Sequence, residues 1–564
     1  MASLTKKLIR GRPYYYLREC QRVRGRPKIV WTLYIGSAQR LVERLMRPEP
    51  HRVALVEFGA SAALLDVART LGVVDTIDRH IPKRAARGPS VGEYLLLAAL
   101  NRCIAPRSKS RLGAWYQGSV LRRLMPLSAG QLTSQRFWDN MDRVGEEQIV
   151  AIEREISSAA VSQFGLDLRC LLFDATNFFT FLDSFNDRAE LPQRGHSKEG
   201  RDNLRLVGLA LLVTSDGEVP LFHHTYAGNQ HDAVTFRSVD EELAERCRLL
   251  AQDACDITLV FDKGNNAEDN LNSVAEGPFH FVGSLVPGRH PDLLAIPRRK
   301  MRRLDRRQLP AVWCYRTRQT VFGVERTVLC TFNRPLFTAQ HKTLLREIGK
   351  RRRKLLKLQA SLDAAQRRSA GRRPTLGGVQ KKVQAILTGR HMKELFSAEV
   401  ASARGGLPRL RFRFRKEAWK KLGRTLLGKT ILFTDRHDWS DEQIVLGYRA
   451  QSHVETAFRR MKDPRFLAFR PTFHWTDQKL RVHAFYCVLA LMMLSLLRRK
   501  LAAAGLVLSV ARVVEKLADI RELTLLYPAP PGVEQPFTRT VLTDLDDTQR
   551  RMLDVLALER HRSA

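Results

Sequence analysis

Hydrophobic positions change their period along the chain, and these changes divide it into segments. Apolar residues recur at helical spacing from 52 to 165, as in ASAALLDVARTLGVVDTI and EEQIVAIEREISSAAV. Short apolar runs bounded by turn residues follow, namely LRCLLFD, RLVGLALLVT, VPLFHHTYAG and DITLVFD. The second and third runs flank Asp-Gly, which is a hairpin signal, and helical spacing at 233–252 precedes the fourth. These runs predict three antiparallel strands, a helix and a strand that ends in an acid, which is an α/β pattern.

Residues 1–50 predict a basic β-hairpin. Its strands are the aromatic and β-branched runs YYYLRECQ and KIVWTLYIG, and Arg-Gly-Arg-Pro at 24–27 separates them. Two roles are open for this hairpin. Its tyrosines and arginines can contact a DNA backbone, or the hairpin can pack on a neighbouring part of the chain.

The stretch 297–429 predicts a segment of different character. VWCYRT and QTVFGVERTVLCTF predict strands, and a strongly basic amphipathic helix follows. Cations at three- and four-residue spacing form one side of this helix, namely Arg346, Lys350, Arg353 and Lys357. The later run RLRFRFRK predicts a strand whose basic face carries Arg411 and Arg413. Because few acidic residues oppose these cations, we expect them to contact phosphate.

Strand periodicity returns with KTILFTD, and HAFYCVLALMMLSLL predicts a buried helix. The last segment predicts two or three helices without recognisable chemistry. The predicted division is a basic hairpin (1–50), a helical DNA-binding or dimerisation domain (52–165), a core in two parts (166–296 and 430–500), a basic insertion domain (297–429) and C-terminal helices (501–564).

The segment 448–462, YRAQSHVETAFRRMK, has two distinct faces if it is helical. Successive residues then turn by about 100°, and the apolar stripe comprises Ala450, Val454, Ala457, Phe458 and Met461. The neighbouring polar arc comprises Tyr448, Gln451, Glu455, Arg459 and Lys462. One carboxylate among cations and hydrogen-bonding groups suits a site for phosphate and metal. An amphipathic helix with a solvated polar face has the same pattern.

Charge indicates the partner. The chain has 95 Lys and Arg against 58 Asp and Glu, a formal net charge of +37, and nucleic acid is the usual polyanion for such an excess. No lipidation signal or secretory apolar run indicates a membrane, and the longest uncharged run, 484–497, is too short to span one. Eight scattered cysteines without a CxxC pair suit a reducing cytoplasm. We therefore expect a cytoplasmic, nucleoid-associated protein.

Three carboxylates supply the candidate chemistry. Asp174 and Asp262 each follow an apolar strand, where open α/β sheets place their ligands, and Glu455 lies on the helix described above. Clustered carboxylates raise each other's pKa, so a shared divalent cation is the usual reason for such a cluster. Oxygen donors without a Cys/His cluster favour Mg²⁺ or Mn²⁺. Two such ions about 4 Å apart can clamp the attacking and leaving oxygens of an in-line phosphoryl displacement.

The order Asp174, Asp262, Glu455 on this strand pattern resembles the DDE transposases of bacterial insertion sequences, whose catalytic domain is ribonuclease H-like. The third motif is similar to that group's Tyr-x2-Arg-x3-Glu-x6-Lys signature, and here it reads Tyr448, Gln451, Glu455, Lys462. Further similar features are RGHSKEGR, GNQHD and FDKGNN. The long interval before the glutamate matches members of the group that carry an insertion domain.

The resemblance implies a ribonuclease H-like mixed-sheet α/β core interrupted by an α+β insertion domain. It implies hydrolysis at the ends of a mobile element and attack of the freed 3′-hydroxyl on target DNA, with two Mg²⁺ or Mn²⁺ ions held by Asp174, Asp262 and Glu455. The expected partners are double-stranded DNA and a second copy of the chain when two ends are paired. A ribonuclease H-like nuclease without strand transfer and a catalytically silent DNA-binding regulator are the alternatives.

One position departs from the signature, since Gln451 stands where the group has arginine. Arg449 lies off the acidic face of the helix, whereas Arg459 lies on it. The hypothesis is therefore that Arg459 and Lys462 supply the phosphate-directed charge. The resemblance also implies that Tyr448 orients phosphate rather than acting as a nucleophile.

Two tryptophans of the predicted insertion domain have two interpretations. Trp313 and Trp419 can each stack a flipped base, as in similar transposases. Packing in a core is the more common role for either side chain.

Overall fold

A computed structural model describes most of the 564 residues. The described residues are 2–23, 26–46, 50–84, 88–183, 185–197, 199–201, 203–230, 242–243, 245–246, 256–262, 279–367, 373–402, 407–470, 472–527 and 538–563. The predicted helix at 233–252 falls almost entirely outside these ranges, as do most of FDKGNN and the end of GNQHD.

Strands and helices both occur along most of the described chain. The strands are β1 (Ala2–Ile9), β2 (Arg12–Val23), β3 (Arg26–Ser37), β4 (Arg52–Glu57), β5 (Cys170–Phe179), β6 (Gln193–Arg194), β7 (Arg205–Thr214), β8 (Pro220–Ala227), β9 (Ile257–Val260), β10 (Phe279–Leu285), β11 (Arg302–Arg303), β12 (Val312–Val321), β13 (Val324–Asn333), β14 (Phe396–Ser402), β15 (Pro408–Phe414), β16 (Lys429–Thr434), β17 (Arg521–Leu526) and β18 (Thr538–Leu542). The helices are α1 (Ala38–Met46), α2 (Gly59–Thr70), α3 (Val73–His80), α4 (Val91–Ile104), α5 (Lys109–Gln117), α6 (Leu121–Leu124), α7 (Ser134–Met141), α8 (Glu146–Phe164), α9 (Pro291–Ala295), α10 (Arg334–Gln366), α11 (Leu376–Ile386), α12 (Met392–Leu395), α13 (Lys416–Thr425), α14 (Asp441–Lys462), α15 (Asp477–Ala503), α16 (Val510–Ala518) and α17 (Asp547–Leu556).

A large mixed sheet forms the centre of the described structure. Its strand order is β11-β12-β13-β16-β10-β9-β5-β7-β6, and β8 also pairs with β7. Strand β9 runs parallel to β5 and to β10, whereas the remaining pairs are antiparallel. The predicted antiparallel set β5, β7 and β8 is therefore confirmed, as is the mixed α/β class. Because β5 and β7 are apolar along most of their length, they lie in the core rather than at a wetted face.

Helix α15 is the buried helix that the run HAFYCVLALMMLSLL predicts. It packs against α2, α4, α8 and β8. By length and composition it could cross a membrane, but 94% of its most apolar window is buried inside the protein. A helix that is apolar all round is equally typical of a core. Its burial here accounts for its composition.

The predicted insertion domain divides into two parts in the structure. Strands β12 and β13 extend the main sheet, because β13 pairs with β16 in the register Val328↔Phe433. A second apolar core lies beyond them, formed by side chains such as Leu355, Val379 and Leu410. Helix α10 is basic on its exposed side, as predicted, with Arg346, Lys350, Arg353 and Lys357 exposed. Strand β15 also has its predicted basic face, on which Arg411 and Arg413 are exposed.

Strands occur where the sequence predicts none. The hairpin of β2 and β3 forms, but β1 adds a third strand to it through the pairing with β2. In the segments predicted to be helical, β4 at the start of 52–165 pairs with β17 of 501–564, and β17 pairs with β18. The helical predictions for 52–165 and 501–564 miss these strands, because the strands are short and β4 finds its partner β17 only across almost the whole length of the chain.

A buried charged network joins α8 to the main sheet. Glu153 of α8 accepts from His223 of β8 at 2.5 Å and from Arg246 at 3.1 Å. All three side chains are buried. Burial opposes ionisation of Glu153, but His223 and Arg246 together hold the pKa of its carboxyl below the ordinary value. This carboxylate therefore compensates a buried guanidinium.

We expect Glu153→Gln to lower the free energy of unfolding by about 3 kcal/mol, because it removes the nearer and fully buried counter-charge of Arg246 and leaves only the more distant Glu242 at 3.7 Å. Urea unfolding followed by circular dichroism measures the loss. The matched control is Glu155→Gln on the same helix. The Glu155 side chain is 38% exposed, and its carboxylate pairs with Arg79 and His80. An exposed pair of this kind contributes less than about 1 kcal/mol. Equal losses in the two variants would contradict the network's role.

Candidate active site

Two of the predicted acids lie beside each other on neighbouring parallel strands. Strands β5 and β9 pair in the register Leu171↔Leu259 and Leu172↔Val260. Continuing this register by two residues brings Asp174 level with Asp262. Asp262 follows β9 as predicted, but the expectation that Asp174 ends its strand is wrong, because pairing with β7 continues β5 to Phe179. Both acids lie just beyond the last pair of the parallel ladder, near the carboxyl end of β9, which is the usual position of a ligand site in an α/β protein. The Asp174 carboxylate accepts a hydrogen bond from the Ala175 amide at 2.8 Å.

Helix α14 carries the third acid and begins at a well-formed cap. Ser440 accepts from the Gln443 amide, and the Gln443 side chain accepts from the Ser440 amide, which completes a capping box. The acidic first turn and the basic last turn both complement the helix dipole. The predicted apolar stripe is confirmed, since Val454, Phe458 and Met461 are buried.

Tyr448 connects α14 to β9 and β10. Its hydroxyl donates to Ser284 Oγ at 2.9 Å and to Asp262 Oδ1 at 3.4 Å. Burial raises the pKa of Tyr448 to about 12, and the negative charges of Asp262 and Glu455 add to this rise while the Ser284 contact opposes it. At neutral pH the phenol therefore remains protonated and acts as a hydrogen-bond donor. Both carboxylates lie within electrostatic range of this one hydroxyl.

Gln451 attaches α14 to the strand that bears Asp174. Its Nε2 donates to the Phe173 carbonyl at 2.9 Å, and the side chain is buried. Its Oε1 is also buried and has no hydrogen-bond donor among the described residues. The structure therefore places Gln451 on the main chain of β5 rather than on an exposed phosphate-binding surface.

Lys462 forms the second attachment between α14 and β5. Its Nζ donates to Thr176 Oγ1 at 2.9 Å and lies 3.4 Å from Glu199 Oε1. Glu455 is exposed on the helix between these two attachments, and Arg459 is exposed one turn after it. The polar arc predicted for this helix is thus divided. Its inner members bind the sheet, and its outer members face solvent.

Glu199 and Arg470 are neighbours of the site that the sequence does not single out. Arg470 forms an ion pair with Glu199 and donates to the Lys462 carbonyl at 3.3 Å. Glu199 belongs to RGHSKEGR, and the Asn177 side chain donates to the His196 carbonyl of the same segment at 2.9 Å. The sequence could have indicated Glu199 only as the acidic residue of this motif. Its pairing with Lys462 depends on the tertiary fold and could not be predicted.

Exposed aromatic side chains lie just beyond the end of β5. Phe181 and Phe473 stack with ring centroids 5.8 Å apart, and their exposed fractions are 47% and 60%. Trp475 is 63% exposed nearby, and its carbonyl accepts from the Asn186 side chain. Both tryptophans predicted as stacking candidates are half-buried instead. Trp313 lies beneath the Arg298 guanidinium and Trp419 beside the His341 ring, as packed side chains do.

The arrangement of the acids determines which kind of metal site they could form. In the part of the chain that the structure describes, no three His, Cys, Asp or Glu side chains converge closely enough to enclose a metal ion. Mg²⁺ does not require such an enclosure, because one or two carboxylates, substrate phosphates and waters commonly complete its coordination. The hard oxygen donors of Asp174 and Asp262, level with each other on neighbouring strands, fit this type of site.

No protein-family model matches the chain, and no curated protein matches it. Among solved structures, the chain is similar to that of the piggyBac transposase synaptic complex with hairpin DNA. The TM-score is 0.36 and the identity is 10%, over 81% of this chain and 79% of that one. Likeness at this level assigns neither a family nor a function. The acids and cations described above are therefore the basis for inferring what the chain does.

We expect Gln451→Ala to lower the free energy of unfolding by about 1–3 kcal/mol, because it removes a buried hydrogen bond between α14 and the Phe173 carbonyl of β5. The matched control is Ser452→Ala, since Ser452 is the adjacent exposed residue of the helix and such a change costs less than about 0.5 kcal/mol. Urea unfolding of both variants measures the difference. Indistinguishable midpoints would mean that this hydrogen bond does not hold α14 on β5.

Proposed function

We propose that this chain is a DNA transposase of the DDE class, which cleaves the ends of an insertion sequence and joins the freed 3′-hydroxyl to target DNA. The observation that supports the proposal is that helix α14, which bears Glu455, is attached to both segments that carry the other two acids. Gln451 and Lys462 attach it to β5 on either side of Asp174, and the Tyr448 hydroxyl contacts Asp262 just after β9. Carboxylates on elements joined in this way suit metal-dependent phosphoryl transfer, in which substrate phosphates and waters complete the metal coordination.

Asp174, Asp262 and Glu455 are the residues that would hold two Mg²⁺ or Mn²⁺ ions in this proposal. When bound, such ions activate a water or hydroxyl nucleophile and neutralise charge on the scissile phosphate. The protein's own contribution is to hold its carboxylates in place. The Tyr448 hydroxyl does so for Asp262, since it donates to that side chain and to Ser284.

Cations near the acids would position the DNA backbone. Lys462 is oriented by Thr176 and Glu199, and Arg459 is exposed beside Glu455. A lysine ammonium and an arginine guanidinium at these places are suited to contact phosphate oxygens on either side of the reacting one. Water is then the nucleophile for hydrolysis and the DNA 3′-hydroxyl for joining, so no covalent enzyme intermediate is required. Tyr448 stays protonated in this scheme and serves as an orienting group.

The basic surface beyond the sheet is the proposed binding surface for element ends. Arg346, Arg353 and Lys357 are exposed on α10, and Arg411 and Arg413 are exposed on β15. Lys350, on the same side of α10, shares Glu347 with Arg351, so part of its charge is compensated. Contacts from such cations to phosphate release counter-ions, and binding should therefore weaken steeply with salt. Pairing of two ends would require a homodimer, acting on DNA in the cytoplasm.

The catalytic proposal is tested with a plasmid that carries the coding sequence and its genomic flanks. With Mg²⁺ the wild type should cut at the flanks and join the released ends, and EDTA should abolish both steps. Asp174→Asn and Glu455→Gln should bind the same DNA and lower cutting at least about 1,000-fold, because each removes a proposed metal ligand. Asp438→Asn, a change at an exposed carboxylate paired with Arg436, should cut like the wild type.

Three outcomes would decide against the proposal. Cutting by Asp174→Asn at the wild-type rate would remove these acids from the chemistry. Cutting without joining would favour the nuclease alternative, and binding without cutting would favour the silent regulator.

The role of Arg459 is tested separately. Arg459→Ala should lower end binding and strand transfer about tenfold, because it removes one charge-assisted contact to phosphate. Arg449→Ala is the matched control on the same helix, off the acidic face, and should leave both steps near the wild-type level. Electrophoretic mobility shift and strand-transfer assays measure the two effects. Full activity in Arg459→Ala would exclude its phosphate-directed role.

A further inference from the structure

The N-terminal sheet of β1, β2 and β3 has two chemically different faces. Side chains of directly paired residues lie on the same face, and faces alternate along each strand. The pairs Lys7↔Tyr14, Thr5↔Tyr16 and Tyr16↔Tyr34 therefore define one side, which we term the tyrosine face. Ring contacts agree, since the Tyr34 ring lies 6.1 Å from that of Tyr14 and 5.1 Å from that of Tyr16.

Cations accompany the tyrosines on this face. Arg18 pairs with Ser3 and places its guanidinium 5.5 Å from the Tyr16 ring centroid. Lys7 and Arg12 lie on the same side by register, and both are exposed. Arginine and tyrosine side chains are among the groups that proteins use to contact DNA phosphates and sugars. Their combination is therefore the chemistry of a polyanion-binding surface.

Helix α1 lies on the opposite face. Gly36 pairs with Tyr15, and a Cβ added at Gly36 would stand 3.2 Å from the Arg40 side chain of α1. That face also bears Leu17, and Trp31 donates there to Glu19 at 2.8 Å. The sheet is thus covered on one side by its own helix, and the tyrosine face is the open side.

The remainder of the described chain does not bury this sheet. Among the residues from 2 to 42 whose exposure the structure describes, only Gly36 is buried. The apolar core in the described residues begins at Val56. Tyr34 is 47% exposed on the tyrosine face. A sheet normally needs a covered face for stability. The alternative left open by the sequence, packing of the hairpin on a neighbouring part of the chain, therefore lacks a neighbour among these residues.

Charge favours DNA as the occupant of the open face. Residues 1–46 contain eleven Lys and Arg against two Glu. A second copy of the same sheet would bring like charges together, whereas a phosphate backbone neutralises them. The major groove of B-DNA, about 12 Å wide, admits a two-stranded β-ribbon.

We propose that the tyrosine face binds double-stranded DNA, as a contact surface separate from α10 and β15. Lys7, Arg12 and Arg18 contact phosphates, and Tyr14, Tyr16 and Tyr34 lie against the groove walls. The choice of DNA as the polyanion rests on the proposed function, but the binding itself requires none of the three acids.

Adjacent lysines of β1 make a matched test, because Lys6 pairs with Tyr15 and therefore lies on the opposite face from Lys7. Both side chains are exposed, so neither change should disturb folding. Fluorescence anisotropy of the full chain with a fluorescein-labelled duplex of mixed sequence is recorded in EDTA over a salt series. Lys7→Ala should weaken binding about fivefold and reduce the slope of log affinity against log salt by about one, while Lys6→Ala should leave both unchanged.

Equal effects of Lys7→Ala and Lys6→Ala would overturn the proposal. The proposal would also be overturned if Lys7→Ala changed the sedimentation coefficient of the DNA-free protein without lowering its affinity for DNA. That result would mean that the tyrosine face binds a second copy of the chain. Binding is measured in EDTA, which prevents cutting, so this assay is independent of the catalytic test. A wild type that binds DNA in EDTA but does not cut it with Mg²⁺ would defeat only the transposase assignment. A wild type that cuts, with no effect of Lys7→Ala on binding, would defeat only the proposal for this sheet.

Discussion

Two hydrogen bonds fix α14 on β5, and the geometry of the candidate site depends on them. Gln451 donates to the Phe173 carbonyl and Lys462 to the Thr176 hydroxyl, both at 2.9 Å, so they bracket Asp174 along the strand. A helix held at two points along one strand can neither slide nor rotate freely against it. The position of Glu455 relative to Asp174 follows from these contacts, and the parallel pairing of β5 with β9 adds Asp262.

Electrostatics relates the acids to the basic surfaces of this protein. Carboxylates brought near one another repel unless a cation joins them. Lys462, on the same helix as Glu455, is shared with Glu199, which also pairs with Arg470. The exposed cations of α10 and β15 lie on other elements of the chain. Acids on one set of elements and cations on another are what a metal-dependent enzyme acting on a polyanion would require.

Local patterns in the sequence predicted those parts of the fold that depend on local physics. The apolar stripe of α14, the strand β9 that ends before Asp262, and the basic faces of α10 and β15 all follow from periodicity and burial. The end of β5 does not, because its pairing with β7 carries the strand past Asp174 to Phe179. The sequence did not reveal pairings between distant segments. Strands β12 and β13 join the main sheet through β16, and β17 joins β4, because their partners lie far away in the chain. Glu199 was missed for the same reason, and Gln451, expected at the phosphate, is held by a main-chain carbonyl instead.

The proposed function requires that Asp174, Asp262 and Glu455 share one metal site. Anomalous diffraction at the manganese edge examines this site, with crystals of the wild-type chain bound to duplex DNA from its genomic flank and soaked in Mn²⁺. We expect an anomalous peak coordinated by Asp174 and Asp262, with Glu455 and a DNA phosphate beside it. Ordered DNA beside these acids without an anomalous peak, or a peak bound by other residues alone, would contradict a shared metal site.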